Sequence, residues 1–278
     1  MTPVWVAHTL PELWAALAAA PDAMVYAGGT DVLVKRRAGV LHPPALIQLG
    51  RIPELRGVAE QGDWLRLGAA CTHRELLDNA LVQALMPVLV QALQELGSPL
   101  IRNMGTLGGN LGTASPAGDT LPPLYVLDAE VEIFSRDARR RLPVREFITG
   151  PGLTALRPGE IIAWVWVRKP AGWNVQHFEK VGLRKALACS LVSLAALLQV
   201  DADGVVERAV LAWGSVGPTV VVCPAAERRL IGEKLTRPVL QDAAALARTA
   251  VSPIGDVRAD ADYRRTVAGN LLLRLAGA

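Results

Sequence analysis

IRNMGTLGGNLGTASPAGD, residues 101–119, decides the reading of this chain. Gly105, Gly108, Gly109 and Gly112 stand among hydroxyl-bearing residues, and a carboxylate, Asp119, closes the run. Glycine reaches φ > 0 without a steric penalty and carries no Cβ. A turn built from it can bring backbone N–H groups against a diphosphate, with Thr106, Thr113 and Ser115 adding hydroxyls. Upstream, VYAGGTDVLV at 25–34 reads as a strand end, a tight turn through Gly28 and Gly29, and a second apolar segment. Two such turns suit one long ligand. Gly-Lys-Ser/Thr follows neither turn and neither has G-x-G-x-x-G spacing, which disfavours the phosphate loop and the dinucleotide-binding βαβ unit.

The pairing of AGGTD at 27–31 with IRNMGTLGGN, then ASP and the aspartate at 119, resembles the FAD-binding subunits of the molybdenum-containing hydroxylases, the group of xanthine dehydrogenase and carbon monoxide dehydrogenase. FEKVGLRKALACS at 178–190 and SPIGDVRA at 252–259, leading to Tyr263, Arg264 and Arg265, extend the resemblance over nearly the full length. These stretches and GSVGPT at 214–219 look closer to the xanthine dehydrogenase branch, although Gly217 and VVVC at 220–223 depart from it. The resemblance implies an α+β fold: a two-part FAD-binding domain of the PCMH type, followed by a C-terminal antiparallel sheet with packed helices. It implies noncovalent FAD in this chain, a molybdenum cofactor on a large molybdopterin-binding subunit and [2Fe–2S] clusters on a small subunit. Electrons would pass from the clusters to the flavin and on to NAD+ or another acceptor, while a purine-like or other heteroaromatic substrate is hydroxylated elsewhere in the complex.

Composition is consistent with this division of labour. Half the residues are hydrophobic and only 20% charged, which excludes a disordered chain, and 278 residues suffice for two or three cores. A net charge of +3, dispersed along the chain, gives no concentrated basic face and argues against nucleic acid. The basic runs at 35–37 and 139–141 read as solvated loops, with docking onto an acidic partner as the alternative. Cys71, Cys189 and Cys223 lack C-x2-C spacing, so an iron–sulfur cluster, zinc site or disulfide within this chain is not expected, and a reducing cytoplasm fits. The early apolar run at 13–20 lacks a positive leader and opens on Pro11-Glu12 like a helix. No stretch reaches the roughly 20 apolar residues of a membrane span.

Periodicity divides the chain into three domains, 1–54, 55–170 and 171–278. The first reads β-α-β-β, with strands at 4–6, 25–26 and 45–49 and a helix at 10–20. The second has strands at 64–67, 130–134 and 161–167, helices at 74–77 and 81–96, and the long glycine segment. Lys169-Pro170-Ala171-Gly172 breaks the pattern. The third reads as a strand at 174–180, a helix or strand at 189–200, a strand at 205–215, and helices at 225–231, 238–250 and 260–275.

By resemblance, Ala27, Gly28, Gly29, Thr30 and Asp31 together with Gly105, Thr106, Gly108, Gly109 and Asn110 hold the diphosphate and ribityl chain. Asn110 could equally tie the loop to itself. Ser115 precedes Pro116, which sets the exit of the chain, and its hydroxyl, like that of Thr113, is in reach of a ligand. Asp119 suits ribose hydroxyls better than phosphate, or serves as a helix N-cap. Lys180 matches a family position close to the flavin ring, the alternative being a solvated lysine. Leu100-Ile101, Ile161-Ile162 and the tryptophans at 164, 166, 173 and 213 read as core, although the family plan would place Ile161-Ile162 near the isoalloxazine. His8, His42, His73 and His177 form no triad or metal grouping, and no covalent flavin anchor is evident. Two rival readings remain open: a self-contained FAD-dependent oxidase with its own substrate pocket, and an assembly subunit that has lost its flavin.

Overall fold

The computed structural model describes residues 2–185 and 187–276, so Ala186, inside the stretch at 178–190, lies outside the described residues. The chain is α+β and divides into two compact units.

The first unit comprises Met1–Asn79, Pro99–Ala114 and Ala129–Arg168. It holds two sheets. A three-stranded parallel sheet has the order Val4–Val6, Leu46–Gln48, Met24–Tyr26. Helix Leu10–Ala19 starts where Thr9 accepts the Glu12 N–H at 3.3 Å and Pro11 occupies the first turn, and it buries Leu13 and Leu17. The expected β-α-β-β order acquires one more helix, Val32–Arg37, directly after the AGGTD turn. The second sheet is antiparallel and five-stranded, ordered Val58–Gln61, Trp64–Gly68, Ile161–Arg168, Glu130–Phe134, Arg139–Pro143. Its central strand, IIAWVWVR, is buried along both faces up to Arg168, which explains an unbroken apolar run where a half-exposed strand would alternate.

The basic run at 139–141 is an edge strand, where a solvated turn was expected. Arg140 grips Glu160 through Nε and Nη2 at 2.8 and 2.7 Å, while Arg139 and Arg141 lie over the rings of Phe134 and Trp166. Three guanidinium groups on an open sheet edge also discourage edge-to-edge pairing.

The second unit comprises Ala80–Ser98, Ser115–Asp128 and Lys169–Ala278. Its sheet is four-stranded and antiparallel: Val175–Val181, Val192–Val200, Val206–Gly214 and Val221–Val222. The apolar stretch that could have been helix or strand is therefore a strand, with Val192, Leu194, Ala196 and Leu198 facing the core made with helices Pro224–Leu230, Arg237–Ala250 and Ala261–Leu272. Trp213, fully buried, donates its indole N–H to Ala268 O at 2.9 Å.

Two stretches expected in the second domain, 80–98 and 115–128, pack with the C-terminal sheet instead. The reason is local chemistry. Gln91, on helix Pro87–Glu95, accepts the Phe178 N–H at 2.6 Å and donates to Gln176 O at 3.2 Å, so its amide reads the edge of that sheet. Helix Leu121–Val126 has every residue buried and packs on the two central strands. The helix expected over 81–96 is two, Ala80–Leu85 and Pro87–Glu95, because Pro87 cannot continue the hydrogen-bond ladder.

Candidate functional site

The two glycine turns meet. A methyl group on Gly28 would lie 1.7 Å from Met104 O and 3.1 Å from Gly105 Cα, so the first turn is pressed directly onto the backbone of the second. Gly29 takes φ +72°. In the second turn, by contrast, Gly105, Gly108, Gly109 and Gly112 are not in the left-handed region, and the positive φ falls on Ala114 at 47°. The segment is more regular than its composition suggests: Leu107–Thr113 is a short helix, capped by Thr106, whose Oγ1 accepts the Gly109 N–H at 3.1 Å.

Gly105 and Gly108 serve close approach, not unusual torsions. Gly108 donates its N–H to Ala69 O at 2.8 Å, and a methyl on it would meet that oxygen at 2.8 Å. Gly105 is covered by His73, whose ring Cδ2 and Nε2 lie 3.1 and 3.3 Å from the position of a Cβ. Gly109 and Gly112, three apart, fall on the exposed side of the helix and leave its backbone bare.

A side-chain tie joins the turns. Asp31 Oδ2 accepts from Thr113 Oγ1 at 3.2 Å and from Lys35 Nζ at 2.8 Å. Among the described residues no acceptor takes the backbone N–H groups of Gly28, Gly29, Thr30 and Asp31. Four successive unpaired amides around a left-handed glycine make a concave, electropositive strip of the kind that binds phosphate oxygens. Asn110 sits on the Leu107–Thr113 helix, where its own N–H donates to Thr106 O at 2.9 Å.

Ser115, Asp119 and Lys180 belong to the second unit. Ser115 Oγ accepts the Ala117 N–H at 3.3 Å and its carbonyl accepts from Gly118, which fixes the turn after Pro116. Asp119 does not cap a helix; the N-cap of Leu121–Val126 is Thr120. Lys180 is not solvated either, its side chain being 5% exposed. Its ammonium donates to Asp119 Oδ2 at 2.7 Å, Glu95 O at 2.7 Å and Ala188 O at 3.3 Å, which accounts for all three protons. Asp119 Oδ1 is buried without a partner. Burial pushes the Asp119 carboxyl up to about 6, the Lys180 charge only partly offsetting the lost hydration.

His73 is a residue that the sequence left among the scattered histidines. It follows the Thr72 cap, donates its N–H to Gly105 O at 2.9 Å, and has a buried Nδ1 without a partner. Burial, aided by Arg102, pushes its pKa down to about 4, so the ring behind the second turn is neutral. Only its position inside a Ser/Thr-x-x-Glu capping box, Thr72 to Glu75, could have drawn attention to it. Leu100 and Ile101, expected in the core, are exposed on helix Pro99–Met104, while Ile161 and Ile162 are buried. Among the described residues no three His, Cys, Asp or Glu side chains could hold a metal ion, and no helix is long and apolar enough to cross a membrane.

These features of the first unit fit a phosphate-bearing ligand: a strip of free amides for its phosphates and a bare helix side beside it. Comparison with known proteins agrees. Residues 1–169 match the family described as FAD binding domain in molybdopterin dehydrogenase, and residues 177–278 match the CO dehydrogenase flavoprotein C-terminal domain. The carbon monoxide dehydrogenase medium chain of Hydrogenophaga pseudoflava is 30% identical, covering 92% of this chain and 89% of that one. The xanthine dehydrogenase FAD-binding subunit of Escherichia coli O157:H7 is 31% identical, covering 93% and 89%. Among solved structures, the carbon monoxide dehydrogenase from Hydrogenophaga pseudoflava superposes with a TM-score of 0.93 at 29% identity, covering 100% of this chain and 96% of that chain. Near-equal identity to carbon monoxide and xanthine enzymes leaves the two branches undivided. The chain belongs to the FAD-binding subunits of the molybdenum hydroxylase family.

Proposed function

We propose that this chain is the electron-relay subunit of a heteromeric molybdenum hydroxylase. It holds FAD noncovalently, while a large subunit carries the molybdenum cofactor and a small subunit carries [2Fe–2S] clusters. The observation that carries this reading is the strip of four unpaired amides at Gly28–Asp31, locked to the second glycine turn by the Thr113–Asp31 bond. Bound FAD supplies the exchange between single electrons and a hydride, with NAD+ or another acceptor downstream. The chain's own residues bind and orient. Ala27 through Asp31 present N–H groups to the phosphates, and Gly105 through Asn110 back that turn. Of the other residues that the resemblance assigns to the flavin, Thr113 acts through Asp31, Asp119 keeps an oxygen for a hydroxyl donor, and Lys180 acts by holding that carboxyl in place. Ser115 contributes by setting its turn.

Noncovalent binding makes a direct test. The purified chain should carry flavin that is released by acid and restored by adding FAD. Gly109→Val puts side-chain carbons within 2.9 Å of Thr106 Oγ1 and onto the bare helix side, and should lower flavin occupancy at least tenfold. Full occupancy in that variant would remove the basis of the assignment. A xanthine-dehydrogenase-like substrate is the finer proposal, supported by the stretches at 252–259 and 263–265. Xanthine-dependent reduction of NAD+ by the assembled complex tests it, and carbon monoxide oxidation instead would refute it. A cytoplasmic location is part of the same proposal.

A further inference from the structure

The helix Val32–Arg37 is tightly specified and yet buries nothing. None of its six residues is buried. Its C-terminus nonetheless closes in a Schellman motif: Val40 N–H donates to Lys35 O at 2.9 Å, Gly39 N–H donates to Arg36 O at 3.1 Å, and Gly39 takes φ +70°. A six-residue helix has little stability of its own and ordinarily persists by packing an apolar side. Here Val34 and Val40 are 63% and 67% exposed and Leu33 is 42% exposed, its outer side left open. Arg36 and Arg37 are exposed beside them and, among the described residues, pair with no carboxylate.

We propose that this face docks a partner subunit of the complex, one that presents an apolar centre with an acidic rim. The inference rests on the electron-relay reading above and goes beyond it by placing the contact. Charge decides the occupant. A second copy of this chain related by a two-fold axis would set Arg36 and Arg37 against their own images, which repels. An acidic rim would pair with both guanidinium groups while Val34 and Val40 leave water. The face is also mechanically linked to the cofactor turn. Leu33 packs on Gly29, with Cδ1 2.8 Å from the position of a Cβ there, and Lys35 holds Asp31. Docking therefore stiffens the amide strip, and the assembled chain retains FAD more tightly than the free one.

The test co-expresses the chain with the large and small subunits and measures assembly by size exclusion and FAD content by absorbance. Val34→Asp and the pair Arg36→Glu with Arg37→Glu should each weaken assembly at least tenfold, with circular dichroism melts of the free chain unchanged. Raising salt from about 0.05 to about 0.5 M should weaken wild-type assembly and leave the charge-reversed pair nearly unaffected. Amides of residues 32–40 should exchange hydrogen more slowly in the complex than in the free chain. Undiminished assembly of both variants, or unchanged exchange, overturns the docking proposal while leaving the flavin reading intact. A wild-type chain that dimerises through this face, or that binds phosphatidylglycerol vesicles through it, overturns the choice of occupant. A wild-type complex that assembles without flavin overturns the underlying reading instead.

Discussion

Thr113 donates its hydroxyl to Asp31 Oδ2 at 3.2 Å, joining two glycine turns separated by 82 residues of sequence. The same oxygen accepts from Lys35 at 2.8 Å, so one carboxylate holds the second turn on one side and the following helix on the other. Removing the donor without changing volume isolates this tie. Thr113→Val should cost about 1 kcal/mol of stability and weaken FAD binding several-fold, as read by quenching of flavin fluorescence on titration. Asp31→Ala loses both partners and should weaken binding further. Equal affinities in wild type and Thr113→Val would show that the tie does not shape the amide strip.

Two glycines of the paired turns make opposite demands. A methyl on Gly28 would lie 1.7 Å from Met104 O, a backbone atom that cannot move without dragging the second turn with it. Gly28→Ala should destabilise the chain by about 3 kcal/mol and abolish flavin retention. On Gly112, inside the helix, a methyl would meet only Ile162 Cδ1 at 3.7 Å, an ordinary contact. Gly112→Ala should therefore stabilise the chain by about 0.5–1 kcal/mol through helix propensity. Urea midpoints of the two variants, moving in opposite directions, check the pair.

Much of this was legible in the sequence, for identifiable reasons. The strands at 130–134 and 161–167 announce themselves by β-branched and aromatic content, and AGGTD and TLGGN carry the family signature on backbone requirements that few residues satisfy. What glycine does was misread in detail. Composition says that Gly105, Gly108, Gly109 and Gly112 tolerate unusual torsions, but only a neighbour across the fold shows that Gly105 and Gly108 are needed for close contact. Long-range partners were likewise hidden: nothing near Lys180 in sequence announces Asp119, 61 residues away, nor Gln91 reading a strand 85 residues on. The exposed Leu100 and Ile101 have the composition of core residues, and their position outside it is a tertiary fact.

Two buried titrating groups give the chain opposite pH dependences. Asp119 has its pKa raised from 3.8 to about 6, so its folded form holds the proton more tightly than the unfolded one. The stabilisation this brings is present below 3.8 and lost as pH rises through about 6, on the order of 3 kcal/mol in full. His73 is lowered from 6.5 to about 4; its contribution is complete above 6.5 and lost as pH falls toward 4, again on the order of 3 kcal/mol. Wild-type stability should thus vary little between about pH 4 and 6, since the two slopes oppose each other. Asp119→Asn should leave a chain that weakens on acidification, and His73→Gln one that strengthens. Parallel profiles for wild type and both variants would contradict the assigned shifts.

The Lys180–Asp119 pair is the more demanding case, because a buried ion pair is weak evidence for stability while breaking it is costly. Lys180→Met leaves Asp119 with neither oxygen paired, together with two carbonyls, Glu95 O and Ala188 O, that lose their donor. It should destabilise the second unit by about 3–5 kcal/mol. Asp119→Leu strands the ammonium and should cost a similar amount. Combining the two removes both charges, so the double variant should be less destabilised than the sum of the singles by 2 kcal/mol or about that, the remaining deficit reflecting the two carbonyls. Flavin content separates structure from binding. If Lys180 acts only by holding Asp119, the double variant should bind FAD no better than Asp119→Leu alone, despite its recovered stability. Should restoring a charge in Lys180→Arg bring back flavin in the absence of the carboxyl, Lys180 contacts the cofactor itself, and the division of roles between the two residues reverses.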